Sequence, residues 1–209
     1  NSRKQALANV TNEAARKKYE AASAKSMMPA RAIQTPKGPG RSWTVQSAVS
    51  AVEGNMKGRN FARGENLFHA TACASCHRFA GEGMGIGPDL TGSANRYALR
   101  DMMENIVEPS KVISDQYIST GFAMKDGSTV IGRIAKEKDG MLHLMTNPFS
   151  ADSNVQIKAA DVKSRKPHEV SHMPPSLING LNPDELSDLI AYIFSAGDRD
   201  HQYFSGGKK

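Results

Sequence analysis

The chain has 209 residues and a mass of 22.6 kDa, enough for one sizeable domain or two small ones. Its composition, 39% hydrophobic and 23% charged, is typical of soluble globular proteins. No apolar run approaches the ~20 residues that a membrane-spanning helix needs, so we expect no transmembrane segment.

The excess of positive charge lies in the first part of the chain. Residues 1–60 contain 11 Lys and Arg against 3 Asp and Glu, whereas residues 61–209 contain 16 against 18. A nucleic-acid site would have to lie in this basic part, where Tyr19 and Trp43 are the only aromatic residues. They form no stacking pattern, and we therefore expect no nucleic-acid partner. The chain begins at Asn1 without an export signal, so we expect any such signal to have been removed or to lie outside this sequence.

Residues 1–57 are predicted to form a basic N-terminal helical arm and linker. Residues 4–26 have a helical composition but few large apolar side chains, so a helix there would have only a weak face to bury. The stretch that follows is rich in residues that favour a linker: Pro29, Pro36, Gly38, Pro39 and Gly40. Thr44 is then predicted to cap a short helix that ends at Gly54.

Two helices are predicted on either side of a glycine-rich loop between Gly81 and Gly92. The first runs from Phe61 to Ala72, and Gly64 leaves a smooth patch where another helix can cross closely. The second is stopped by Pro109 and has apolar residues at helical spacing: Leu99, Met102, Met103 and Ile106.

The C-terminal helix has the clearest start signal in the sequence. Asn182 is predicted to cap it, Pro183 suits its first turn, and Glu185 can reach back to the cap. The expected buried face consists of Leu186, Leu189, Ile190 and Ile193. Tyr192 and Phe194 are expected at the edge of that face, and Gly197 closes the helix.

Residues 116–165 change from a helical to a strand pattern. Turn signals at Asp126-Gly127, Asp139-Gly140 and Asn147-Pro148 separate five short stretches: 117–124, 129–135, 141–146, 154–158 and 161–165. Five strands in fifty residues predict a small β-sheet or barrel subdomain. The pattern resembles small SH3-like or Sm-like barrels.

Both cysteines of the chain lie in one pentapeptide, Cys73-Ala74-Ser75-Cys76-His77. Two thiols at this spacing followed by an imidazole are the attachment signature of c-type haem, in which both sulfurs bind the porphyrin and the histidine binds its iron. A disulfide here would close too short a loop to stabilise the fold much, and a thioredoxin-like pair would need a βαβ context. A zinc site would need two further ligands, and the remaining histidines form no second paired motif. We favour covalently bound haem over these three alternatives.

A haem of this kind normally has a second axial ligand, and we weigh two candidates for it against the alternative that neither binds iron. Met173 is the favoured candidate because the prolines in Ser171-His172-Met173-Pro174-Pro175 stiffen the backbone around it. The neighbouring His172 is the alternative. Met84 is only seven residues beyond His77, too near to reach the opposite face easily.

Taken together, these motifs resemble a class I cytochrome c. More narrowly, residues 59–204 resemble the planctomycete and verrucomicrobial type of haem-binding domain found at the C-terminus of dehydrogenase-like proteins. The residues that carry this resemblance are Gly58-Arg59-Asn60-Phe61, Gly87-Pro88-Asp89-Leu90-Thr91, Glu108-Pro109-Ser110, Asp126-Gly127 and Met173-Pro174-Pro175.

The resemblance implies a mainly α class I cytochrome c fold whose two halves, residues 58–115 and 166–204, flank the inserted β subdomain at 116–165. It implies one covalent haem c attached through Cys73 and Cys76. The implied iron ligands are His77 and Met173, with Pro88 holding the His77 ring and Leu90 lining the haem pocket.

The implied function is single-electron transfer rather than catalysis, because an iron bound on both sides has no open position. The expected partners are an upstream dehydrogenase domain as electron donor and a downstream acceptor, in a periplasmic or other extracytoplasmic compartment. The alternative is a haem enzyme, or a gas or redox sensor, with a labile distal ligand.

Overall fold

The computed structural model describes residue 13, residues 32–147 and residues 154–206. The chain divides into two compact units, residues 1–33 and residues 34–209. Apart from Glu13, the helix predicted at residues 4–26 lies outside the described residues. The elements described below all belong to the second unit.

The described residues of this unit form four α-helices: α1 (Val45–Val52), α2 (Phe61–Ala70), α3 (Leu99–Val107) and α4 (Pro183–Phe194). The central helix is α4, because it packs against both α1 and α2, while α1 also packs against α3. Every residue of α4 from Glu185 to Ile193 is buried. Apolar side chains from all four helices meet in one core.

The predicted helix starts at Thr44 and Asn182 are confirmed. Each side chain accepts a hydrogen bond from the backbone three residues later, and the residue there bonds back to the cap. The close helix crossing predicted at Gly64 is also confirmed. A Cβ at Gly64 would lie 2.3 Å from the Asp188 carbonyl oxygen and 2.8 Å from Cβ of Tyr192, so only glycine lets α2 approach α4 this closely.

The prediction that residues 1–57 form a separate arm and linker is wrong for residues 34–57. The α1 side chains of Ala48 and Val52 are fully buried in the helical core, and Trp43 Nε1 donates a hydrogen bond to the Leu181 carbonyl at 3.2 Å. The proline- and glycine-rich segment before Trp43 is also bound. The Glu185 carboxylate accepts hydrogen bonds from the backbone N–H groups of Lys37 and Gly38.

Tyr192 is a core residue, so its predicted place at the edge of the buried face is also wrong. Its side chain is only 5% exposed, because its ring lies 5.2 Å from Phe61, 5.9 Å from Phe68 and 5.0 Å from Phe79, measured between centroids. These rings join α2, α4 and the segment after His77 in one aromatic cluster.

A short antiparallel hairpin, β1 (Arg78–Phe79) with β2 (Glu82–Gly83), follows the cysteines. The main sheet is antiparallel and lies between α3 and α4 in the sequence. Its strands are β3 (Ser119–Met124), β4 (Thr129–Lys138), β5 (Met141–Met145), β6 (Asn154–Lys158) and β7 (Val162–His168). All five predicted strands are present, with β4 and β7 extending three residues beyond their predicted ends.

The strand order of the main sheet is β6-β5-β4-β3-β7. The last strand in the sequence, β7, therefore pairs with the first strand of this sheet, β3. Within the described residues β6 and β7 do not pair, and the sheet is open rather than a closed barrel. It has its own small core of Phe122, Leu142, Leu144 and Ile157. A β subdomain with a separate core therefore accompanies the helical part. Among the described residues, none of the helices combines the length and apolar character needed to cross a membrane.

Candidate functional site

A sharp turn after α2 presents the cysteine motif to a cavity. Ala72 adopts a left-handed conformation with φ of 61°, and Cys73–Ser75 then form one turn of 3₁₀ helix. The His77 N–H donates to the Cys73 carbonyl at 2.9 Å, which closes the motif on itself. The side chains of Cys73, Cys76 and His77 consequently line one cavity of about 240 Å³.

The glycine-rich loop wraps closely around this motif. The N–H groups of Ile86 and Gly87 both donate to the Cys76 carbonyl, at 3.0 and 2.8 Å. A Cβ at Gly87 would lie 2.8 Å from Cε1 of His77, so the imidazole packs directly on the backbone. Gly83 is constrained as well, with φ of 86° and the His77 carbonyl 2.2 Å from where its Cβ would be. No atom lies near the corresponding position of Gly81.

His77 is held in one orientation by the loop. Its Nδ1 donates a hydrogen bond to the carbonyl of Pro88 at 2.7 Å. Burial lowers the pKa of His77, and the bond to Pro88 partly offsets this effect. The side chain is therefore a neutral imidazole whose proton is on Nδ1, which leaves the Nε2 lone pair available to a metal.

The two cysteines are free thiols, not a disulfide. Burial raises the pKa of both Cys73 and Cys76. A contact of 3.3 Å between Thr71 Oγ1 and Cys73 Sγ partly offsets this effect for Cys73. Both sulfurs are therefore protonated at neutral pH and remain available for covalent attachment.

Met173 lines the same cavity, and hydrogen bonds hold the two residues before it, Ser171 and His172. The Met173 N–H donates to Ser171 Oγ at 3.1 Å, and the Ser171 N–H donates to Ser110 Oγ at 3.1 Å. His172, the alternative ligand, also lines the cavity, but its Nε2 is 2.5 Å from Ser119 Oγ. This hydrogen bond occupies one of the two ring nitrogens through which His172 could bind iron.

Three other methionines bear on the ligand assignment. Met84 is 55% exposed and does not line the cavity, whereas Met102 and Met145 do. Met102 is 4% exposed and packs in the helical core. Met145 lies on β5, and its sulfur is 3.9 Å from Nη2 of Arg133.

All six predicted site residues line this one cavity: Cys73, Cys76, His77, Pro88, Leu90 and Met173. Most of the remaining wall is apolar, with side chains that include Ile106, Ile113, Leu177, Ile178, Leu189 and Ile193. Sequence analysis missed most of the polar part of the wall, to which Ser171 and His172 also belong: Arg96, Tyr97, Asn105, Ser114, Tyr117 and Arg133. Arg133 lies on a strand with mostly exposed neighbours, so no local pattern distinguishes it from a solvent-facing arginine.

Part of the chain is similar to a known protein family. The model of the family described as Cytochrome c matches residues 61–139. A cytochrome c domain is therefore present. The match contains the cysteine motif, Pro88 and Leu90, and it ends before Met173. No curated protein matches the chain.

The residues around the cavity fit the haem c that a cytochrome c domain carries. Paired thiols and an oriented imidazole lie at one wall, a thioether enters from the Met173 loop, and the surrounding side chains are mainly apolar. The Gly87 backbone forms a cradle that any side chain would fill. Within residues 32–147 and 154–206 no cluster of three His, Cys, Asp or Glu residues is placed so that it could hold a metal ion.

Proposed function

We propose that this protein is a monohaem c-type cytochrome that transfers single electrons between redox partners. The observation that carries the proposal is the convergence of Cys73, Cys76, His77 and Met173 on one largely apolar cavity. A bound haem c would supply a reversible one-electron couple between ferric and ferrous iron. The protein would then act as an electron carrier.

The chain's own residues have separate roles in this proposal. Cys73 and Cys76 would hold the cofactor through thioethers, and His77 and Met173 would bind the iron. The Pro88 carbonyl holds the His77 ring and makes Nε2 a better donor. Leu90 and the apolar wall would limit water around the iron, which would favour the less charged ferrous state, and a thioether ligand would favour it further.

The wider setting is proposed from the resemblance of residues 59–204 to haem-binding domains of dehydrogenase-like proteins. In this setting the protein is the electron-accepting module of a dehydrogenase and passes electrons to a downstream acceptor. Covalent attachment of haem to such motifs takes place outside the bacterial cytoplasm, so we place the protein in the periplasm or a comparable compartment. The basic N-terminal part would favour an acidic partner.

The proposal is tested by the near-infrared charge-transfer band of methionine-bound ferric haem. We expect this band in the wild-type protein, its loss in Met173→Ala, and its retention in Met84→Ala, the matched change at an exposed methionine. Loss of the band in Met145→Ala instead would make Met145 the ligand. A wild-type protein that lacks the band and binds carbon monoxide readily would support the alternative function, a sensor or enzyme with a labile ligand.

A further inference from the structure

Arg133 is a cation that the β-sheet directs at the cavity. It lies on β4, which is the middle strand of the sheet, and its half-buried side chain forms part of the cavity wall. Its guanidinium lies 5.7 Å from the centroid of the Tyr117 ring, which lines the same wall. The sheet therefore places a permanent positive charge beside a largely apolar space.

The hydrogen bonds of Arg133 hold the guanidinium without neutralising it. Nη1 donates to the Ile86 carbonyl at 3.0 Å, and Nη2 makes a weak contact with the Met145 sulfur at 3.9 Å. Both acceptors are uncharged. In the part of the chain that the structure describes, no carboxylate forms an ion pair with Arg133.

Arg165 on β7 shows the contrast within the same sheet. It is 57% exposed, lies 3.7 Å from a Glu137 carboxylate oxygen, and does not line the cavity. A guanidinium has five N–H donors in a planar fork that matches a carboxylate. A partly desolvated arginine that faces an apolar cavity with only neutral partners is suited to an anionic ligand that enters the cavity.

We propose that Arg133 binds a carboxylate in this cavity, and that this carboxylate is a propionate of the bound haem. The inference rests on the proposed function, since haem is the cofactor expected here and carries two propionates. It also gives the β subdomain a role in cofactor binding, because β4 supplies the charged group and β5 supplies Met145 beside it.

The test compares the wild-type protein with Arg133→Gln, Arg133→Lys and the matched control Arg165→Gln, all produced with haem-attachment machinery. Loss of the positive charge beside a propionate stabilises ferric iron, so Arg133→Gln should have a lower midpoint potential than the wild type. Arg133→Lys should retain most of the wild-type potential, and Arg165→Gln should retain all of it.

Resonance Raman spectra report on the propionate itself. The propionate bending band should shift in Arg133→Gln and stay unchanged in Arg165→Gln. A lower potential with an unshifted band would mean that Arg133 acts only as a distant charge, and the assignment would be overturned. Equal potentials in Arg133→Gln and Arg165→Gln would overturn it as well. If Arg133→Gln does not mature, the propionate bending band of Arg133→Lys decides. This band should shift, because the single ammonium of lysine cannot reproduce the planar fork of donors that arginine offers a carboxylate, and an unshifted band would overturn the assignment.

Two further measurements separate the possible failures. Acetate, added at the ionic strength of a chloride control, should leave the wild-type potential unchanged, whereas an acetate-specific shift would show that the site takes free carboxylates. The intact mass of the wild type tests the proposed function separately. A bare polypeptide mass would reject haem attachment, and with it this inference. A haem-containing protein with equal potentials in the two glutamine variants would reject the inference alone.

Discussion

The hydroxyl oxygen of Ser119 lies 2.5 Å from Nε2 of His172, the residue that precedes Met173. Ser119 begins β3 and is 2% exposed, whereas His172 is half-buried, so this hydrogen bond is partly shielded from water. It connects the β-sheet directly to the loop that carries the proposed iron ligand. The position of Met173 therefore depends on the sheet as well as on the prolines that follow it.

Replacing Ser119 with alanine should loosen the Met173 loop. The change removes one part-buried hydrogen bond, worth about 1 kcal/mol, and leaves the His172 nitrogen without this partner. We expect a weaker methionine charge-transfer band and faster binding of external ligands such as imidazole to the ferric protein. Ser128→Ala, in the exposed turn between β3 and β4, is the control and should bind imidazole at the wild-type rate. Equal rates in the two variants would show that the sheet does not hold the loop.

Truncation should show that residues 34–57 are needed for the stability of the fold, whereas residues 1–33 are not. Removal of residues 1–33 leaves the second compact unit whole, so we expect a folded haem protein with an unchanged spectrum. Removal of residues 1–57 deletes Trp43 and α1. The apolar side chains of α3 and α4 that pack against them would then be exposed to water. This shorter protein should be strongly destabilised and yield little haem protein. Thermal unfolding followed by circular dichroism would measure the difference, and a normal melting temperature after removal of 57 residues would contradict the fold described here.

Gly64→Ala should disrupt the crossing of α2 and α4. A methyl group at Gly64 would collide with the Asp188 carbonyl and with Tyr192, and overpacking of this kind typically costs about 1–3 kcal/mol. Denaturant unfolding should show that loss. The control is Gly92→Ala, where φ is −98° and no atom lies within 4 Å of the added carbon. A stability of Gly64→Ala equal to that of Gly92→Ala would show that the two helices are not in close contact.

The haem-free protein should become less stable as the pH falls through about 6.5, the pKa of an unperturbed histidine. Burial lowers the pKa of His77, and burial together with the Arg133 charge lowers that of His172. The unfolded chain therefore binds protons that the folded chain does not, so acid favours unfolding. A Cys73→Ser/Cys76→Ser protein, unfolded in urea above and below this pH, provides the measurement. His77→Gln in the same background should reduce the loss, whereas a stability that rises with acidity would reverse the predicted sign.

Local signals in the sequence predicted much of the fold. Helix caps at Thr44 and Asn182, the small residue at Gly64 and the turn pairs between strands each act within a few residues, so the sequence shows them directly. The cysteine motif is equally local, and the glycines that follow it allow the loop to close on His77.

Contacts between distant residues could not be predicted in this way. Gly38 and Gly40 are typical of a linker, yet Gly38 binds Glu185, and a Cβ at Gly40 would lie 2.1 Å from the Asn179 carbonyl oxygen. Arg133 lines the cavity because the sheet lies against this part of the helical domain. The alternation of polar and apolar residues along β4 does not predict this arrangement. The hydrogen bond that occupies Nε2 of His172 joins positions 53 residues apart.

The intact mass of the protein, isolated from cells that attach haem to cysteines, tests the central claim most directly. We predict the polypeptide mass plus that of one haem, retained after acid-acetone extraction and absent from the Cys73→Ser/Cys76→Ser protein. A wild-type mass equal to that of the polypeptide alone would contradict the account.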